Sequence, residues 1–264
     1  MFVNVQKNLR QFINYAAAGF SPWSLGSQAA FDLFKNTAKP ETSWTYEAGL
    51  RSKRVLDGGF ITAIEGQANY YHVDFSNRLL QISATPVILS LVSGAAILAN
   101  VGSVTTDGVD VAATLHFGEH FKIYEAISYN RSVYQDNYTT GAANTVVPTA
   151  GKLVPGMPSW MNKFVASFDY GDFSAQVLGD YVGRRFATYT NDLSVDGYFQ
   201  MGLQAEYRLP TPPSWLKDLK LRVNVTNLLD EKGTSTLVVG AASGTYNTYP
   251  IPPRMVFATV STSF

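Results

Sequence analysis

The chain of 264 residues has no cysteine, which excludes disulfides, thiolate metal sites and cysteine nucleophiles. Charge is scarce too, at 15% of residues against about 25% in an ordinary soluble domain. Its 20 basic and 20 acidic residues cancel, so there is no positive footprint for phosphates and no nucleic-acid partner is expected. No signal-peptide pattern opens the chain, because Asn4, Gln6, Lys7, Asn8 and Arg10 interrupt any apolar start. Long hydrophobic runs are missing with one exception. Between Ile82 and Val104 no charged residue occurs, and a membrane helix needs about 20 apolar residues. Pro86, Gly94, Gly102 and the β-branched residues around them favour extended structure there instead.

What the chain does have is aromatic, small and β-branched residues, with 21 Gly, 15 Tyr and 16 Phe, arranged with a period of two. Trp44, Tyr46, Ala48 and Leu50 alternate with Thr45, Glu47, Gly49 and Arg51. Phe199, Met201, Leu203, Ala205 and Tyr207 alternate with Gln200, Gln204, Glu206 and Arg208. Such strands have one oily and one wet face. The pattern predicts ten of them, at 1–8, 43–52, 59–73, 104–117, 121–134, 160–170, 173–185, 196–209, 219–229 and 254–264. The connections between them run 34, 6, 30, 3, 25, 2, 10, 9 and 24 residues, so that long and short alternate. A soluble β-sandwich also alternates along its strands, but it has no reason to gather every long loop at one end. A transmembrane barrel does, with short periplasmic turns and long extracellular loops. The expected class is therefore all-β, an antiparallel transmembrane β-barrel segment. In strand 121–134, Glu125 falls on the face of Phe121, Ile123 and Ile127, where it would meet lipid unless a β-bulge or a shifted register moves it.

Catalytic and metal patterns are weak. His116-Phe117-Gly118-Glu119-His120 spells H-x-x-E-H, which binds zinc on a helix, yet Gly118 sits in the tightest part of a predicted hairpin. Asp230-Glu231, or Asp169 with Asp172, could pair as glycosidase carboxylates but read as ordinary loop acids. No nucleophile elbow or phosphate loop occurs, and no enzyme activity, metal or cofactor is expected.

Several segments resemble the barrel of TonB-dependent outer-membrane receptors. Lys39-Pro40-Glu41-Thr42-Ser43-Trp44-Thr45-Tyr46-Glu47-Ala48-Gly49-Leu50-Arg51 is similar to one of its strands, and Asn100-Val101-Gly102 with Thr106-Asp107-Gly108-Val109-Asp110 to another. Val154-Pro155-Gly156-Met157-Pro158, Asp180-Tyr181-Val182-Gly183-Arg184-Arg185, Val223 to Lys232 and the terminal Phe264 follow in the family's order. The resemblance implies a barrel of twenty-two strands around a plug. Ten strands ending on the terminal aromatic would be its C-terminal part, with plug and signal peptide absent from 1–264. It implies energy-coupled uptake of a scarce nutrient in the bacterial outer membrane, with a ferric siderophore as the commonest ligand and a carbohydrate or cobalamin as alternatives. A passive small barrel or a scaffold binding through its loops is the rival reading. The implied partners are the ligand, TonB through the missing plug and box, and outer-membrane lipid and lipopolysaccharide.

In this reading Glu47, Arg51, Glu65, Gln67, Asp110, Asp180, Gln204 and Arg222 line the lumen. Loops are the usual seat of binding residues, and the candidates there are Tyr15, Trp23, Tyr134, Tyr138, Arg184, Arg185, Tyr246 and Tyr249.

Overall fold

A computed structural model describes residues 1–10, 39–83, 96–100, 102–140, 145–212, 215, 218–238 and 246–263. Among these there is no helix. The strands in chain order are β1 (Phe2–Arg10), β2 (Glu41–Val55), β3 (Ala63–Ser76), β4 (Leu79–Ser83), β5 (Ala96–Asn100), β6 (Val104–Phe117) and β7 (Phe121–Tyr134). They continue with β8 (Tyr138–Thr140), β9 (Thr145–Val147), β10 (Trp160–Tyr170), β11 (Phe173–Val182), β12 (Arg185–Phe186) and β13 (Ser194–Val195). The last are β14 (Tyr198–Arg208), β15 (Asp218–Thr226), β16 (Thr234–Val238), β17 (Asn247–Pro250) and β18 (Met255–Ser263).

Ten of these form one antiparallel sheet in the order β1-β2-β3-β6-β7-β10-β11-β14-β15-β18. Every wall strand pairs with the next in sequence, which is the meander that short turns enforce. The ten strands of the sequence pattern are these ten, with shifted ends. The strand expected from 59 starts at Ala63, because Gly58 has a positive φ of 80° and the turn runs on to Thr62, whose N–H donates to the His116 carbonyl. The strand expected to 185 stops at Val182, and Arg185 opens a separate two-residue ladder. The long connections are not plain loops: β4–β5, β8–β9, β12–β13 and β16–β17 are small hairpins of their own. Of the apolar run from Ile82 to Val104, the described parts are the end of β4, β5 and the residues Gly102 to Val104, and β4 pairs with β5 from Leu79↔Asn100 to Ser83↔Ala96. Pro86 and Gly94 lie outside the described residues.

Register sorts the side chains into two faces. Glu65↔Thr114, Asn69↔Asp110↔Ser128, Lys163↔Asp180↔Gln200 and Gln176↔Gln204↔Asn224 run across the polar face. The opposite face reads Val111↔Ile127, Val177↔Leu203↔Val225 and Tyr207↔Leu221↔Val260. Aromatic rows bound this apolar face. Toward the short turns, Phe117 stands 5.2 Å from Phe60 and 5.5 Å from Phe121, and Phe168 stands 6.5 Å from Phe173. Toward the long loops, Tyr129 stands 4.8 Å from Trp160 and Trp44 stacks 6.4 Å from Tyr46. An apolar band between two aromatic girdles is what a bilayer-facing barrel wall requires.

No bulge rescues Glu125. It stays in continuous register between Ala113 and Phe164, on the apolar face and four residues from each of Phe121 and Tyr129. Its Oε1 accepts a hydrogen bond from the Asn162 amide, which supplies the polar partner a carboxylate in that band needs.

The buried core is not between sheets. It lies at the long-loop end of the polar face, where Val104, Tyr134, Tyr138 and Val147 are packed with Phe75, Val154 and Tyr189. The loops therefore fold back over the wall rather than standing free.

Candidate functional site

The polar wall begins with a close approach. Gly49 lies opposite Phe2, and a Cβ there would stand 2.5 Å from the Phe2 ring. With that position empty, the neighbouring Asn69 amide reaches two acids, donating to Glu47 Oε1 at 3.2 Å and to Asp110 Oδ2 at 3.4 Å. Glu47, Asn69 and Asp110 thus form one acidic station across β2, β3 and β6. Below it, Arg51 pairs in register with Gln67, and Lys53 Nζ lies 2.7 Å from Glu65 Oε1. Arg51, Lys53, Glu65, Gln67, Thr114 and Tyr124 line a concavity of about 450 Å³. Farther along the wall, Arg222 Nε donates to Glu206 Oε2 at 2.8 Å, and Gln204 faces Gln176 and Asn224. All eight residues expected to line the lumen share this face by register.

The rim residues divide. Tyr134 and Tyr138 are buried in the loop core, where Tyr189 meets Tyr138 edge-on at 5.5 Å. Burial pushes the Tyr189 phenol up from its ordinary range, so it stays neutral. Arg185 is only 6% exposed, and its guanidinium donates to the carbonyls of Thr234 and Ser235 while lying 5.9 Å from the Tyr198 ring. In this position it staples the β12 loop to β16. Its neighbour Arg184 takes the other side, exposed and 5.1 Å from the Phe186 ring. Tyr249, on β17, is 59% exposed, and Tyr246 is half-buried. Tyr15 and Trp23 lie outside the described residues.

Some organising residues carried no binding signal in the sequence. Asn227, almost fully buried with a φ of 49°, donates to the carbonyls of Glu231 and Pro252 and accepts from the Glu231 N–H, closing the turn after β15. The Thr188 and Thr190 hydroxyls donate to Asp192, and they hold its carboxyl below the ordinary range. Buried Glu41 is held by Arg78, 3.1 Å away. Of the H-x-x-E-H residues, His120 packs 5.0 Å from Tyr170 at the short turn, and Gly118 has a φ of 63°. Among the described residues no group of three or more acids and histidines is arranged to hold a metal.

A family model, described as TonB dependent receptor-like, beta-barrel, matches residues 3–228. No curated protein matches the chain significantly. Among solved structures, the copper transporter OprC is 20% identical with a TM-score of 0.62, over 99% of this chain and 37% of that one. The ferric citrate transporter FecA is 17% identical with a TM-score of 0.67, over 99% of this chain and 35% of its own. The ferric yersiniabactin uptake receptor FyuA from Yersinia pestis is 20% identical with a TM-score of 0.61, over 86% of this chain and 31% of its own. The chain spans about a third of the length of these structures, and at such identity they show a shared fold.

Proposed function

Because the chain belongs to the TonB-dependent receptor family, whose barrels lie in the bacterial outer membrane, we propose that its ten strands are part of the wall of an energy-coupled importer for a scarce nutrient. The apolar face then meets lipid and the polar face meets the lumen. The observation that carries the reading is the polar face itself. A register-matched surface of carboxylates, amides and cations, from Glu47 and Asp110 to Gln204 and Arg222, has no use on a wall that only separates lipid from lipid. It suits a water-filled passage that holds a mobile partner by hydrogen bonds which can be exchanged.

In this reading the acids Glu47 and Asp110, bridged by Asn69, receive cationic or amide groups of a plug domain through which TonB acts. Arg51, Gln67 and the exposed Tyr249 supply polar and aromatic contacts to a ligand descending from the rim. The ligand proposed is a ferric siderophore, in line with similar structures whose names specify ferric citrate for FecA, ferric yersiniabactin for FyuA and a siderophore for the receptor PiuA from Acinetobacter baumannii. Its large polar surface matches the amide-rich wall.

The test is uptake of radiolabelled iron under starvation, in cells whose only receptor is the full protein carrying this wall. The expected result is siderophore-dependent, TonB-dependent accumulation, weakened several-fold by Tyr249→Ala and Arg51→Glu. Accumulation unchanged when TonB is deleted would overturn the coupled reading. Uptake of a carbohydrate or cobalamin in place of iron would overturn the ligand.

A further inference from the structure

One row of the luminal face breaks its polarity. Tyr124, Val165 and Leu178 pair in register across β7, β10 and β11, and Gly202 follows on β14, where a Cβ would stand 3.8 Å from the Leu178 side chain. Together they make a low apolar shelf on a wall of carboxylates, amides and cations. The shelf lies toward the short turns, below the Glu47–Asn69–Asp110 station, and Tyr124 joins it to the concavity of about 450 Å³ at Lys53 and Glu65. That volume is within the range of small-molecule sites.

Cations surround the shelf. Lys163 stands two residues from Val165 on the long-loop side, and Lys122 two residues from Tyr124 on the short-turn side. Arg51 shares the row of Lys163 through Gln67, Ala112 and Ala126, and the two alanines keep the floor between these cations low. All three cations are exposed, and among the described residues none enters an ion pair. Lys53 is already matched by Glu65 at 2.7 Å, while Asp180 is in register beside Lys163 without an ion pair between them. The unpaired cations outnumber that acid. Arg51 and Lys163 stand four strand spacings of about 4.8 Å apart. Posts so far apart suit a bulky polyanion better than the lone carboxylate of one plug residue.

We propose that the shelf is a transit site for the imported ligand, and that the ligand it fits is an anionic aryl chelate. An aromatic ring of the chelate lies against Tyr124, Val165 and Leu178, while Arg51, Lys122 and Lys163 meet its negative charge. The inference rests on the uptake reading above and narrows it. An uncharged hydroxamate chelate leaves the cations unused, and an all-carboxylate one leaves the shelf unused.

The test uses the full receptor in iron-starved cells, with surface binding in energy-poisoned cells read separately from uptake in energised ones. The probes are radiolabelled ferric complexes of a tricatecholate, of citrate and of a trihydroxamate. The tricatecholate complex should be taken up best. Leu178→Asn and the double variant Lys122→Gln/Lys163→Gln should each lower its uptake at least fivefold, with surface binding within twofold of wild type and the heat-modifiable mobility of a folded barrel. Sensitivity to vancomycin, which reports an unseated plug, should stay at the wild-type level. Unchanged uptake in both variants would overturn the site. Raised vancomycin sensitivity, with uptake falling only in proportion to surface binding, would give the shelf to the plug and overturn the ligand assignment. Preference for the citrate or trihydroxamate complex would overturn the aryl chemistry. If wild type takes up none of the three in a TonB-dependent way, the iron-uptake reading itself fails and the transit site fails with it.

Discussion

At the scale of single residues, the wall is tuned by what is omitted as much as by what is placed. Gly108 faces Tyr71 across the β3–β6 pair, and a Cβ on it would stand 2.1 Å from the Tyr71 ring, whose hydroxyl accepts a hydrogen bond from the Asn130 amide at 2.8 Å. Gly108→Ala must displace a ring fixed at its far end, a cost of about 1–3 kcal/mol for overpacking. It should lower the thermal midpoint of the full receptor, and less so in a Tyr71→Ala background. Equal losses in both backgrounds would show that the ring contact is not the cause. Titration at the rim makes a second prediction. The hydroxyls of Thr188 and Thr190 hold the Asp192 carboxyl below its ordinary range, so protons bind the unfolded loop more readily than the folded one. The stabilisation is present above the ordinary Asp value of about 3.9 and is lost as pH falls through the folded value. Protease cleavage within 186–195 should rise only below that point in the native protein. In Thr188→Val, which loses one hydroxyl donor, the rise should move to higher pH.

At the scale of elements, the strands were legible because alternation survives wherever one face meets lipid and the other water. Leu203 and Gln204 are adjacent on β14, yet they pair with Val177 and Val225 on one face and with Gln176 and Asn224 on the other. Leu203→Arg places a charge in the lipid band at about 2–4 kcal/mol, whereas Gln204→Arg places it in the lumen. The first should impair heat-modifiable assembly of the receptor far more than the second, and equal impairment would reject the face assignment. The loop hairpins were not legible, since β12 and β13 are two residues each and β8 and β9 three. Elements that short have no period to detect. They form because buried Tyr134 and Tyr138, with half-buried Tyr189 packed against them, gather distant segments. The same limit governs the site. Composition picked out Tyr134, Tyr138 and Arg185 as aromatic and cationic loop residues, but only tertiary packing could reveal that all three are buried. Glu125 violated the pattern in the sequence and still violates it in the structure, because the partner that makes it tolerable, Asn162, lies on another strand.

At the scale of the whole molecule, the sheet has two ends, β1 and β18, each paired on one side only among the described residues. In a soluble protein such edges meet water. Here β1 carries Val3, Val5 and Leu9 and β18 carries Val256 and Val260, all exposed, so the edges run through the band the apolar face occupies. Backbone N–H and C=O groups left unpaired in hydrocarbon cost several kcal/mol each, and no side chain on either strand can satisfy a whole ladder. Closure must come from further strands pairing antiparallel with β1 and with β18, and the direction of both strands permits it, since β1 rises toward the long loops and β18 descends from them. The 264 residues alone, refolded in liposomes, should therefore aggregate or pair edge to edge and give no ligand-selective uptake. Co-refolding with the remaining wall of a full receptor should restore a heat-modifiable monomer. A stable monomeric barrel from the 264 residues alone would mean that ten strands close on themselves, and the passive-barrel reading would replace the importer.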